Sequence, residues 1–239
     1  NAKIFREAFG VDLQDAVLEH HSAFDAEKLP SKDSKDKLKI ALVGTGVRGT
    51  SFWGKRLVED YSEILEFVGL SDINKGRLEY AKDYMGVSCK LYLDFDEMIK
   101  ENKSDFIIVT TKDSTHHTYI IKGLNYGIDV LTEKPLTTDE VKCQEIIDAE
   151  AKSGKKLIVG FNYRWSPYAA QIKKLLSENS IGEITSVDFH WYLNTYHGAS
   201  YFRRWHGQND SGGSLWVHKA THHFDLLNWW LNSDPSEVF

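Results

Sequence analysis

From Leu38 onward, short apolar runs alternate with longer stretches in which apolar residues recur every three or four positions. The runs LKIALVG (38–44), ILEFVGLSD (64–72), DFIIVTT (105–111), IDVLTEKP (128–135) and KLIVGFNYR (156–164) show no polar alternation. Parallel strands covered by helices on both faces have this character. Between them, Lys75 to Tyr84, Phe95 to Glu101, His116 to Tyr126 and Asp139 to Lys152 carry the helical period. The β-α-β-α-β order predicts an α/β fold built on a doubly wound parallel sheet with right-handed crossovers. Thr137 and Glu140 form a T-x-x-E capping box, which predicts the start of the last of these helices.

The flanks differ. Residues 1–28 place Phe5, Phe9, Val11, Leu13, Val17, Leu18 and Phe24 among charges, roughly as an amphipathic helix, and PSKDSKDK (30–37) reads as a linker. Past residue 165 the segment TSVDFHWYLN (185–194) alternates Val187, Phe189, Trp191 and Leu193 with polar neighbours, predicting a strand buried on one face. With SEVF (236–239) as a possible second start, it predicts an α+β domain with a mostly antiparallel sheet. One or two strands do not make a stable sheet, so that domain is expected to be incomplete here. The expected organisation is an extension and linker over 1–37, a nucleotide-binding domain over 38–160, and the start of a substrate domain over 161–239.

A chain of 239 residues that is 41% hydrophobic and 13% aromatic can bury one large core or two modest ones. Its formal net charge of -6 and pI near 5.9 argue against a nucleic-acid surface, which needs a clustered basic face, and point to small-molecule ligands. Cys89 and Cys143 suit neither a disulfide framework nor a zinc knuckle and are expected to be buried, reduced thiols. No apolar run approaches the roughly 20 residues of a membrane span, and the first residues lack the apolar core of a secretory signal. The expected location is therefore cytoplasmic. The chain begins at Asn1, which leaves a periplasmic location open if a leader was removed.

Chemistry enters at the strand ends. Gly44, Gly46 and Gly49 stand as G-x-G-x-x-G directly after the first strand. Gly44 permits a tight turn, Gly46 lets the backbone approach a pyrophosphate, and Gly49 allows close helix–strand packing, with the helix N-terminus facing the negative charge. Asp72 follows just over about 20 residues later, at the end of the second strand, where a carboxylate accepts the hydroxyls of an adenosine ribose and repels a 2′-phosphate. This favours NAD over NADP, against which Arg48, Lys75 and Arg77 are the basic side chains nearby in sequence. Glu133-Lys134-Pro135 ends another strand, at the edge where open α/β sheets place ligands. A lysine there can orient a sugar hydroxyl and stabilise developing negative charge.

Together LVGTGVRG, TTKDSTHH, TEKPLTTD, VGFNYRWSPY, GEITSVDF and the histidine segment of 210–231 resemble the Gfo/Idh/MocA superfamily, the glucose-fructose oxidoreductases and inositol dehydrogenases, from about Lys37 to Phe239. The resemblance implies a Rossmann domain followed by an open, mostly antiparallel sheet domain, and NAD(P)-dependent oxidation of sugars or cyclitols. It also implies a homo-oligomer. Lys134 matches the family's E-K-P lysine, and His222 the histidine of its D-x-G-x-H segment. His218 stands where many members have aspartate, and Ala220 stands at the glycine. TKDSTH resembles T-P-N-x-x-H, with Lys112 for proline, Asp113 for asparagine and His116 retained. Cofactor contacts are implied for Gly44, Gly46, Val47, Arg48, Gly49, Asp72, Thr110, Thr111, His116, Glu133, Lys134, Asn162 and Arg164. Substrate contacts are implied for Lys134, Tyr163, Arg164, Trp205, His218, Lys219 and His222. Lys134, His222 and His218 carry the chemistry in this reading.

The segment DSGGSLWVHKATHHFDLLNWWL (210–231) allows other readings. His218, His222 and Asp225 are spaced by four and three, one face of a helix, as zinc ligands can be. Lys219 stands where a hydrolytic H-E-x-x-H motif needs glutamate, and an ammonium beside a divalent cation is unfavourable, so no metal is expected. The run Leu226, Leu227, Trp229, Trp230 and Leu231 is core, and His223 is structural. His222 is expected to take an alcohol proton while hydride leaves carbon. Arg203, Arg204 and His206 are candidates for binding sugar hydroxyls or an acidic group. The expected activity is oxidation of a secondary hydroxyl of a sugar, glycoside or cyclitol with NAD. An NAD-dependent glycosidase using transient oxidation and a non-catalytic sugar or dinucleotide sensor are the alternatives.

Overall fold

The structure, a computed structural model, describes residues 37–238. The helix expected within 1–28 and nearly all of the linker lie outside the described residues. The described chain divides into two compact units after Val159.

The first unit carries a parallel sheet in the order β3-β2-β1-β4-β5-β6. Its strands are β1 (Leu38–Val43), β2 (Leu65–Ser71), β3 (Lys90–Tyr92), β4 (Phe106–Val109), β5 (Asp129–Glu133) and β6 (Leu157–Gly160). Five of the six match the apolar runs. The three-residue β3 was not predicted, because so short a run shows no period. A π-helical stretch, Arg48–Lys55, continues into α1 (Arg56–Tyr61), and α2 (Lys75–Met85), α3 (Phe95–Glu101), α4 (His116–Asn125) and α5 (Glu140–Ser153) complete the unit.

The apolar runs lack alternation because both faces of the sheet are covered. Ala41 and Val43 of β1, with Ile107 and Val109 of β4, join a core with Met98, Ile120, Leu124 and Ile146. Their neighbours Ile40, Leu42, Phe106 and Ile108 point the other way, into a core with Leu78, Ala81 and Met85. Fully buried leucines such as Leu42 and Leu70 each contribute about 1.5–3 kcal/mol of burial. β1 pairs with β2 on one side and β4 on the other, so the strand order reverses there. That reversal leaves a crevice at the strand tips.

The capping box is corrected. Asp139, not Thr137, caps α5, its side chain accepting from the Lys142 N–H. A carboxylate cap also meets the positive end of the helix dipole, and such caps are worth about 1 kcal/mol. Thr137 lies inside, its hydroxyl buried without a hydrogen-bond partner. Cys89 and Cys143 are free but only half-buried, and burial raises the Cys89 thiol to about 11.

The second unit holds α6 (Pro167–Ser177), four single helical turns within 195–212, and a π-helical stretch, Trp216–Ala220, leading into α7 (Thr221–Leu231). Proline at the first position suits α6, where an N–H would have no partner. α6 and α7 are joined by the Lys173 ammonium donating to the Trp229 carbonyl (2.6 Å) and the Trp230 indole donating to the Ala169 carbonyl (3.0 Å).

The expected strand at 185–194 is also corrected: this segment belongs to no strand among the described residues. A ladder requires a partner, and none lies alongside within them. The period of two still separates the faces. Phe189 and Trp191 both meet the His223 ring, at 5.4 and 4.9 Å, and Val187 lines a cavity of about 320 Å³ with Leu227 and Trp230. Among the described residues no helix is long and apolar enough to cross a membrane.

Candidate active site

The first unit brings Gly44, Asp72, Thr110 and Glu133 to one edge, because each follows or ends a parallel strand. Gly44 has φ +91°, and a Cβ there would lie 2.6 Å from the Thr110 backbone. A Cβ on Gly49 would fall 2.2 Å from the Gly44 carbonyl oxygen and 2.4 Å from the Thr110 hydroxyl. Thr110 donates to that same carbonyl (2.6 Å), so loop, helix start and β4 close on one another.

Gly46 differs: nothing lies within 4 Å of its absent Cβ. The fold has no packing need for glycine there, whereas a pyrophosphate approaching the backbone does. The site therefore fits a dinucleotide. Gly46→Ala is expected to leave the melting temperature within about 1 °C, since surface changes are usually neutral. NAD affinity should fall at least about tenfold through contact with the added methyl. Parallel thermal denaturation and calorimetric titration check this.

Asp72 is buried and held to the loop. One carboxylate oxygen accepts from the Thr45 N–H (2.8 Å) and hydroxyl (3.1 Å), the other from the Asn74 N–H (2.9 Å). A carboxylate offers about four lone-pair positions, which leaves one for a ribose hydroxyl. The three nearby basic side chains are each turned to an acid: Arg48 to Glu133, Lys75 to Glu79 and Arg77 to Asp72 itself. None is set apart for a 2′-phosphate.

Glu133, expected as a cofactor contact, is in addition an anchor whose partners the sequence did not reveal. Its carboxylate accepts from Arg48 Nε (2.5 Å) and Trp53 Nε1 (2.8 Å), tying the end of β5 to the helix behind the glycine loop. Arg48 also lies 3.5 Å over the Phe52 ring. Val47, by contrast, is exposed at the loop tip. Lys134, half-buried, follows, and the Pro135 carbonyl contacts His116 Nδ1 at 2.9 Å. His116 Nε2 lies 3.3 Å from the Thr111 carbonyl. Burial pushes the His116 pKa down, and each ring nitrogen faces a backbone carbonyl, Nδ1 that of Pro135 and Nε2 that of Thr111. His116 thus fixes the backbone beside Lys134 from inside the fold.

The second unit forms its own cluster around His222, which is buried at 4% exposure. The Tyr163 ring stacks on His222 at 4.1 Å and 7°, and on Trp191 at 5.0 Å. Lys219, equally buried, donates to the Tyr163 hydroxyl at 2.5 Å. Arg164, next to Tyr163, is gripped by Asp225 through two bonds of 2.8 and 2.5 Å. Half-buried Asn162 begins this short turn.

His218 has other ring neighbours: His206 at 4.7 Å, Tyr201 at 5.5 Å and Trp205 at 5.9 Å, with Trp205 stacked on His206 at 4.0 Å. Burial, and then the charge of Lys219, lower the His223 pKa. The partners Trp53, Phe189 and Trp191 were not predicted as site residues. Only the alternation placing Phe189 and Trp191 on one face hinted at the last two.

These features agree with two family descriptions. An oxidoreductase family with an NAD-binding Rossmann fold (GFO_IDH_MocA) matches residues 38–161, and that family's C-terminal alpha/beta domain matches residues 173–239. The chain belongs to the Gfo/Idh/MocA oxidoreductase family. Its first unit is accordingly an NAD-binding Rossmann domain.

Among curated Gfo/Idh/MocA relatives, YteT of Bacillus subtilis, named as a candidate oxidoreductase, is 44% identical over 84% of this chain and 48% of its own length. An inositol 2-dehydrogenase/D-chiro-inositol 3-dehydrogenase of Lactiplantibacillus plantarum is 26% identical over 84% of this chain and 54% of its own. A crystal structure of the WlbA dehydrogenase of Chromobacterium violaceum, in complex with NADH and UDP-GlcNAcA, superposes with a TM-score of 0.72 at 26% identity. It covers 83% of this chain and 56% of that one. The chain spans about half the length of the curated relatives it matches.

Proposed function

We propose that this protein is an NAD-dependent dehydrogenase that oxidises a secondary hydroxyl of a sugar, glycoside or cyclitol. The observation that carries the reading is the open space at Gly46 on the strand edge where Asp72 and the E-K-P lysine also stand. Held by the glycine loop and Asp72, NAD would supply the hydride acceptor for the carbinol carbon. The residues of the chain orient the alcohol and handle its proton.

In this reading Lys134 holds the alcohol oxygen and stabilises the negative charge that grows on it. His222 takes the hydroxyl proton as general base. His218 tunes that transfer, and the Trp205 ring stacks on the apolar face of the sugar. Asp72 binds the adenosine ribose, and the glycine loop binds the pyrophosphate. The named dehydrogenase relatives and the UDP-sugar in the WlbA complex support the substrate class.

The test is NADH formation by the purified full-length protein with myo-inositol, scyllo-inositol, UDP-sugars and aryl glycosides. NADH appearing with at least one polyol, and its loss in His222→Asn, is the expected result. Sugar binding by calorimetry with no hydride transfer would indicate a sensor. Glycoside cleavage with retained cofactor and no net NADH would indicate the glycosidase chemistry.

A further inference from the structure

Lys219 is a buried cation whose side chain, among the described residues, donates to a neutral group. Its side chain is 6% exposed as a residue, its ammonium donates to the Tyr163 hydroxyl, and burial alone pushes its pKa down. No carboxylate among the described residues is paired with it. Burying an ammonium without an opposite charge is costly, so the lysine is not explained by stability.

Its effect on Tyr163 is specific. A phenol has one proton to donate and accepts through its oxygen. With Lys219 donating to that oxygen, the Tyr163 proton is left to serve a second acceptor, and two bonds in series reinforce each other. Such a donor favours an oxygen that gains negative charge. The stacked contact of the Tyr163 ring with His222 places this donor beside the imidazole.

We propose that Tyr163, whose stretch the family resemblance already sets beside the substrate, donates a hydrogen bond to the oxygen whose proton His222 takes, and that Lys219, expected from the same resemblance to touch substrate, acts instead as the positioning residue that orients and polarises Tyr163. No bond is made or broken by either residue. The alcohol proton still goes to His222, and the hydride still leaves carbon. The proposal rests on the dehydrogenase reading for the identity of that oxygen.

Tyr163→Phe keeps the stacked ring and removes the hydroxyl, and Lys219→Met keeps the stem and removes the charge. Each is expected to lower kcat about 10²-fold, as loss of one preorganised donor does, with the KM for NAD within about twofold. Because the two act in series, Tyr163→Phe/Lys219→Met should be no slower than Tyr163→Phe alone. Additive losses, or a Tyr163→Phe enzyme within about twofold of the parent, would overturn the proposal.

A second measurement does not depend on turnover. In protein labelled at the tyrosine ring Cζ carbons, the Tyr163 signal should move in Lys219→Met, and in the parent on adding myo-inositol or UDP-glucuronate to the NADH complex. If the parent forms no NADH with any polyol, the dehydrogenase reading fails by itself. The Tyr163 shift on adding a bound polyol then decides this proposal separately: movement supports it and a static signal sinks it.

Discussion

Lys134→Met is expected to lower turnover by about 10³-fold or more, the scale of losing a charge that stabilises a developing oxyanion together with its positioning of the alcohol. NAD affinity should stay within about twofold, because in the proposed reading the glycine-loop backbone and Asp72, not Lys134, would hold the cofactor's pyrophosphate and ribose. The prediction is sharp because the surrounding backbone is fixed independently of the lysine. Glu133 is held by Arg48 and Trp53, and the Pro135 carbonyl by His116. Methionine fills the space of the stem, so the change isolates the charge. Steady-state rates of NADH formation beside calorimetric NAD titration separate the two quantities. Equal losses of binding and rate would remove Lys134 from the chemistry and return it to the scaffold.

The largest stability effect is expected at Asp225. Its side chain is 7% exposed, and it holds the Arg164 guanidinium, 26% exposed, by two bonds. Removing one partner of a buried pair costs about 3–5 kcal/mol because the other charge is stranded. With Arg164 a quarter exposed, the lower end, about 3 kcal/mol, is expected for Asp225→Ala. Replacing both residues with apolar side chains should recover much of that loss. Urea unfolding of the single and double variants measures it. A shift below about 1 kcal/mol for Asp225→Ala would show that the pair behaves as a surface ion pair. The pair also sets the turn that presents Tyr163, so Asp225→Ala should lower kcat even where the protein remains folded.

The strands and helices of the first unit were legible because burial on two sheet faces imposes an unbroken apolar run, and burial on one helix face imposes a period. Both are written in single residues close in sequence. The glycine spacing was legible for the same reason. The cap of α5 was misplaced by two residues because Thr137 and Asp139 are both good caps, and only the helix dipole and local packing choose between them. For 185–194, the alternation disclosed which side chains share a face but not what they would face. They meet α7, at His223, Leu227 and Trp230.

Sequence alone disclosed the nucleotide loop, whose chemistry needs glycines at particular spacings, and a family resemblance that the family models bear out; the candidates Lys134, His222, Tyr163 and Lys219 came with that resemblance. Only the tertiary structure decided which charges are engaged. It turned Arg48 to Glu133 across 85 positions, joined Arg164 to Asp225 across 61, and set Lys219 on Tyr163 across 56. Pairings of that kind follow from how strands and helices pack, and packing brings together residues between which no sequence period runs. A lone lysine in a polar-looking stretch becomes a buried cation on a phenol only after the chain around it has closed.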